Sequence, residues 1–309
     1  MFSKTYILKV LFFSGFLYPL TSMELLLSGG FGWSHYQAKD LNTFFNLLEK
    51  RTHEGGFNSY EVEKFDGHGQ LAWALGVKHA PWTFALATEY WKESFKQSEI
   101  ALGDPNRNES VTCAQLKDPA YIFDGSYGCV EAKESFFFLP ITLELSYSKD
   151  IGKRFFLGFG YGIGMMLGDA TISVSTDYFG NSGIDDAVVF SIDPGLNVTH
   201  KIFINSELRL FSLFGIQVQT GYRISKLKHF VLSEKKGESE VFAALFDNPQ
   251  NGDKLYLKTY DDPTLSELPQ EIVIGNESDA GKASTLHPVQ GDFSGWFIHL
   301  KCNIYWRFL

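Results

Sequence analysis

Cysteine, proline, basic charge and long apolar runs are all scarce in this chain. Only 3 Cys occur in 309 residues, and no two have the spacing of a metal-binding thiol pair. Lys and Arg number 27 against 36 Asp and Glu, a net charge of −9. Without a basic surplus the chain has nothing with which to neutralise a phosphate backbone, which excludes nucleic acid as a partner. No apolar run reaches the ~20 residues of a membrane-crossing helix. With only 10 Pro, long stretches are free of residues that interrupt a strand ladder.

What is abundant points to strands. The chain has 29 Phe, 29 Gly and an aromatic content of 16%, a combination that favours extended segments and tight turns over helices. Residues 1–22, MFSKTYILKVLFFSGFLYPLTS, read as an export signal. Lys4 and Lys9 form a basic start, Val10 to Leu17 a short apolar centre, and Pro19 precedes a small residue, Ser22, at the cleavage point. A buried N-terminal strand or helix is the alternative. The expected mature domain is 23–309, with 25 basic against 36 acidic residues once Lys4 and Lys9 are removed. Export suits few disulfides. Cys113 and Cys129 share one polar segment and are the expected pair, with Cys302 on the apolar face of the last strand.

Eight segments alternate with a period of two: 25–33, 71–78, 82–90, 136–145, 155–165, 202–210, 216–224 and 295–309. In the last, Trp296, Ile298, Leu300, Cys302, Ile304, Trp306 and Phe308 form one face, opposed by His299, Lys301, Asn303, Tyr305 and Arg307. In the fifth, Phe155 to Met165 oppose a ladder of Gly158, Gly160, Gly162 and Gly164.

Alternation alone does not say which face is inside, and a soluble barrel would turn the apolar face inward. Three features decide for lipid outside. Short connections (near 79–81, 148–153 and 212–214) alternate with long ones (about 35–69, 94–134, 169–199 and 226–292), as in outer-membrane barrels. Each apolar face runs for about ten residues, a tilted membrane span, with aromatics at both ends. Glycine and alanine dominate the opposite face of several strands, which suits a narrow filled interior. The expectation is all-β, an eight-stranded antiparallel up-and-down transmembrane barrel with four long extracellular loops, closed by its last strand through Trp296, Trp306 and Phe308.

The signal, eight staves, long loops and the stretch DFSGWFIHLKCNIYWRF from Asp292 to Phe308 resemble the small bacterial outer-membrane barrels, the superfamily of outer-membrane proteins A, W and X. The resemblance implies a porin-like wall in the outer membrane of a Gram-negative bacterium, with periplasmic termini and extracellular loops. It implies contact with outer-membrane lipid and lipopolysaccharide, and handling by the barrel-assembly machinery, which recognises an aromatic terminal strand. Here Phe308 is penultimate and Leu309 follows.

Inward-facing Lys78, Glu89, Glu144, Glu207, Arg209, Arg223, His299 and Lys301 would share a narrow lumen. Buried charges must pair, so a plugging salt-bridge network is expected, with an ion or proton path as the rival role. From their heights above neighbouring short turns, Glu144 and Arg209 are expected to meet. In the first long loop, Leu41, Phe44, Phe45 and Leu48 have helical spacing behind Asp40 as N-cap. A calcium loop at 247–253 is excluded, because Pro249 takes a ligand position and Lys258 stands where Glu is required. No cofactor is implied. The expected function is that of a non-enzymatic surface protein whose loops contact the envelope or an external partner not identified by the sequence. The alternatives are a narrow conduit for small hydrophobic molecules or a lipid-modifying enzyme. His35, His68, His200 and His229 supply residue types for the latter without a motif joining them to a nucleophile.

Overall fold

A computed structural model describes residues 23–54, 66–102, 127–179, 184–192, 197–236, 250, 252–260, 270–275 and 284–307. The export segment 1–22, Cys113, Phe308 and the start of the 247–253 segment lie outside them. The elements are β1 (Met23–Tyr36), α1 (Lys39–Glu54), β2 (Gly67–His79), β3 (Trp82–Leu102), β4 (Tyr127–Gly152), β5 (Phe155–Phe179), β6 (Ile184–Ile192), β7 (Asn197–Phe211), β8 (Phe214–Lys236), β9 (Lys254–Tyr260), β10 (Gln270–Gly275), β11 (Ser284–Pro288), β12 (Gln290–Asp292) and β13 (Gly295–Arg307).

Eight of these close a barrel. β1 to β5 pair in sequence, β5 pairs with β7, β7 with β8, β8 with β13, and β13 returns to β1, all antiparallel. The seam is full length: Glu24 faces Arg307 at one end and Tyr36 faces Gly295 at the other. Three tight turns, at 79–82, 152–155 and 211–214, lie at one rim, which also holds the start of β1 and the end of β13.

The wall is inside out by the standards of a soluble protein. Leu27, Phe31, Leu75, Phe84, Leu143, Phe159, Ile163, Ile202, Ile298 and Ile304 project outward, and Leu143 is 66% exposed. Aromatics gather at both margins of this belt. Trp82, Tyr147 and Phe159 make successive ring contacts of 5.2 and 5.8 Å near the tight turns. Tyr222–Trp296 and Tyr90–Phe137 do so at 5.3 and 5.7 Å near the other margin. Trp296 and Trp306 mark the margins on one strand; ten residues at ~3.3 Å each, tilted ~40°, give a height of ~25 Å.

Four of the staves, β3, β4, β5 and β8, do not stop at the upper margin, where β1, β2 and β13 end. Two connections expected as loops, 94–134 and 169–199, are strand through their described length: β3 pairs with β4 out to Leu102 opposite Tyr127, and β5 pairs with β6. There the period of two persists while the chemistry of the faces exchanges. On β4 the inner side changes from Glu144 and Thr142 to Phe138 and Phe136, and the outer from Leu143 to exposed Ser135 and Lys133. On β5 the inner glycines give way to Met166, Ala170, Ile172 and Val174. The barrel therefore continues as an ordinary water-facing sheet around an apolar core.

That core takes in the remaining described elements. β6 continues the line of β7 and joins β5 to β8, and β9 to β12, from the 226–292 connection, extend the sheet beside β8. α1 lies against β10 and β12 and buries Leu41, Phe44, Phe45 and Leu48 completely. It begins at Lys39, earlier than expected: Asn42 N bonds Ala38 O at 2.9 Å, so Ala38 holds the N-cap place. Asp40 sits instead in the first turn, where its charge favours the positive helix end. Phe293, Phe138, Trp91 and Tyr36 stack across the centre, with Phe138 and Phe293 centroids 4.1 Å apart.

Cys129 is disulfide-bonded and Cys302 is a free, outward-facing thiol. Mass mapping of unreduced peptides is expected to recover Cys129 with Cys113; a peptide linked through Cys302 would contradict the strand register. Phe138→Ala should cost ~3–5 kcal/mol of the upper core, read as a lowered unfolding midpoint, because its ring is buried against three aromatic neighbours.

Candidate functional site

The lumen at belt height is the only place where the described residues gather buried charge in quantity, and it is built in two tiers. The lower tier lies just above the tight turns. Glu24 accepts hydrogen bonds from Arg209 Nη2 at 2.7 Å and Arg307 Nε at 2.9 Å. Glu207 accepts from Tyr305 Oη at 2.6 Å, and from Lys78 Nζ and Arg209 Nε at 3.3 Å each. The Arg209 guanidinium lies 3.9 Å over the Tyr305 ring, a cation–π contact that fixes its plane.

Lys201 is the hub of the upper tier. Its ammonium donates to Glu144 Oε1 at 2.7 Å, Glu89 Oε1 at 2.9 Å and Gln219 Oε1 at 3.3 Å, and stands 4.7 Å over the Phe297 ring. Arg223 donates to the other oxygen of Glu89, and Gln219 Nε2 to Glu144 Oε2 at 3.4 Å. Lys301 Nζ donates to Gln219 Oε1 at 2.7 Å. His299 is hydrogen-bonded to Gln70, with Gln219 Oε1 at 3.4 Å.

A missing side chain makes the hub possible. Gly162 sits between Glu144 on β4 and Lys201 on β7 in the register. A Cβ there would stand 3.2 Å from Glu144 Cγ and 3.5 Å from Lys201 Cβ. Glycine leaves the two long side chains room to meet across the intervening strand.

All eight residues expected in the lumen point into it, Arg209 partly exposed at the lower rim and the other seven buried. Their partners differ from expectation in one respect. Glu144 does not meet Arg209; it meets Lys201, and Arg209 meets Glu24 and Glu207. Counting residues from each turn treats staves as vertical, whereas barrel strands tilt and stagger. Arg209 is also lower than counted, its N–H bonded to Arg154 O in the turn itself at 2.8 Å. Sequence reasoning missed Lys201 and Glu24. Both were in phase with the inner face, Lys201 with Asn205 and Glu207, Glu24 with Ser28, but each stood just outside the alternating segment or at its edge.

The histidines take separate places. His35 pairs with Asp66 at 2.8 Å at the upper rim, and His68 is inside, stacked on Tyr36 and paired with Glu93. His200 faces outward and bonds Tyr161 Oη at 2.6 Å.

The lumen is filled. Between the tiers lies a polar cavity of ≈ 40 Å³, room for two or three waters at most, and above the upper tier the apolar core begins.

Glu144 and Lys201 should couple strongly. Either single change, Glu144→Gln or Lys201→Met, is expected to cost ~3–5 kcal/mol by leaving a buried charge uncompensated. The double variant should recover much of that loss in a double-mutant cycle. Glu144→Gln with Arg209→Gln should instead be additive. Chemical unfolding of the refolded variants reads both.

No family model matches the chain, and no curated protein matches it. Among solved structures it is similar to a major outer membrane protein from Thermus thermophilus, at 11% identity and a TM-score of 0.32, over 92% of this chain and 100% of that one. A likeness that slight carries no weight, and the barrel stands on its own strand pairing.

Proposed function

We propose that the protein is a non-conducting outer-membrane barrel that holds a folded ectodomain at the cell surface for contact with the envelope or an external partner. The observation that carries this reading is double occlusion of the lumen. A charge network fills it at belt height, and aromatic packing around Phe293 and Phe138 covers it above. An outward apolar belt ~25 Å high, edged by aromatics, supports insertion in a bilayer. Closure of the ladder supports it too, since an open edge would leave unpaired backbone groups in hydrocarbon. The outer membrane is the bilayer that such barrels occupy. Short turns at one rim and the large connections at the other support periplasmic termini and an external upper storey. Lipid and lipopolysaccharide are then its lateral neighbours, and the barrel-assembly machinery its route in.

Transport of small hydrophobic molecules fits less well. Such a conduit needs an apolar cavity leading to a breach in the wall. The apolar core is instead packed at its centre by the rings of Trp91, Phe138 and Phe293, and ladder pairing between β3 and β4 lapses only beside Pro140. A lipid-modifying site would need its groups together, and His35, His68 and His200 lie apart.

Two measurements test this reading. In planar bilayers the refolded protein should show little or no conductance, while a large stable conductance would defeat it. In lipid vesicles Leu143→Arg should cost ~2–4 kcal/mol or prevent folding. Ser135→Arg, outward-facing on the same strand above the belt, should change stability little. Equal effects of the two would place the belt boundary elsewhere.

A further inference from the structure

We propose that the cavity between the two tiers binds one small monovalent anion, of the chemical class of chloride, on the ammonium of Lys301. Inside the barrel at belt height stand four carboxylates, Glu24, Glu89, Glu144 and Glu207, and five cations, Lys78, Lys201, Arg209, Arg223 and Lys301. Every carboxylate is engaged by one or more of the first four cations, Glu24 also by the exposed Arg307. Lys301 makes no ion pair among the described residues; its hydrogen bond goes to the neutral Gln219. It is 3% exposed. An ammonium has three donors, and one is used here. A buried ammonium without a partner is strongly disfavoured: the amine sheds its proton unless a counter-charge joins it, and the second course is the one the surroundings provide for.

The space for one is next to it. Lys301 borders the ≈ 40 Å³ cavity, together with the hydroxyl of Ser28 and the amide groups of Asn303 and Asn205. Ser28 Oγ, Asn303 Oδ1 and Asn205 Oδ1 are buried and make no hydrogen bond within the protein. Ser28 offers the anion a second donor. The two amide oxygens are acceptors and require water, and the volume admits a halide with one or two waters. Glu144 and Glu207 also border the cavity, but their charge is already met by Lys201 and by Lys78 and Arg209. One surplus positive charge and this volume together exclude sulfate and phosphate.

The inference depends on the lumen alone and not on the surface role. To test it, the protein is refolded with bromide as the sole halide, desalted, and measured for bromine by X-ray fluorescence, with anomalous diffraction to locate it. One bromide per chain is expected in the cavity of the native protein and none in Lys301→Met, which leaves no carboxylate without its cation. Absence of bromide from the native protein, or undiminished bromide in the variant, would overturn the proposal. Should the variant not fold, the nitrogen-15 spectrum of Lys301 in the native barrel decides. A charged ammonium whose signal shifts between chloride and bromide supports the site, and a neutral amine indifferent to halide removes it.

Discussion

Thirteen successive residue pairs, from Glu24–Arg307 to Tyr36–Gly295, tie the last strand to the first, and the rest of the structure follows from that closure. A sheet with no edge can expose its apolar face without exposing its backbone. Once the apolar residues are outside, the polar ones have nowhere to go but a tube eight strands wide. Such a tube admits side chains and little else. Charge pairing in the lumen is thus a consequence of closure and not an independent device. The same holds for the glycines of β5, which let neighbouring staves fill the axis.

Legibility in the sequence followed from where the chemistry is periodic. The eight staves were readable because period-two alternation with an apolar outer face leaves a strong trace, and so were the inward charges that share its other phase. Above the belt the trace does not vanish; it changes phase. In DATISVSTD, residues 169–177, the apolar positions Ala170, Ile172 and Val174 are even-numbered, whereas those of the preceding stretch from Phe155 to Leu167 are odd. A search for one continuous apolar face ends there and assigns a loop. The persistence of the period, apart from its phase, was the signal for strand.

Other features lay beyond sequence for geometric reasons. The pairing of Glu144 with Lys201 depends on strand stagger, which no single segment encodes. The cap on the lumen combines α1, β12 and three barrel staves that are far apart in the chain. Helical spacing identified Leu41, Phe44, Phe45 and Leu48 as a face, but not what would cover it. Ala38 at the N-cap place, with φ 32°, goes against ordinary capping preference. The start of α1 is set instead by the bonds of Gln37 N and Ala38 N to Ser294 O and Asp292 O.

The unbroken staves have a mechanical meaning. β4 runs 26 residues from the turn at the lower rim to its far end without a linker, roughly 85 Å of strand at ~3.3 Å per residue. Belt and upper storey are therefore one rigid mast, with no swivel between them. If the belt is held by a bilayer, the upper surface has a fixed bearing and a fixed reach of tens of ångströms above it. A partner docking there would find its approach direction already chosen. Any torque it applied would pass down the strands to the ring of paired charges, as load on a beam passes to its footing.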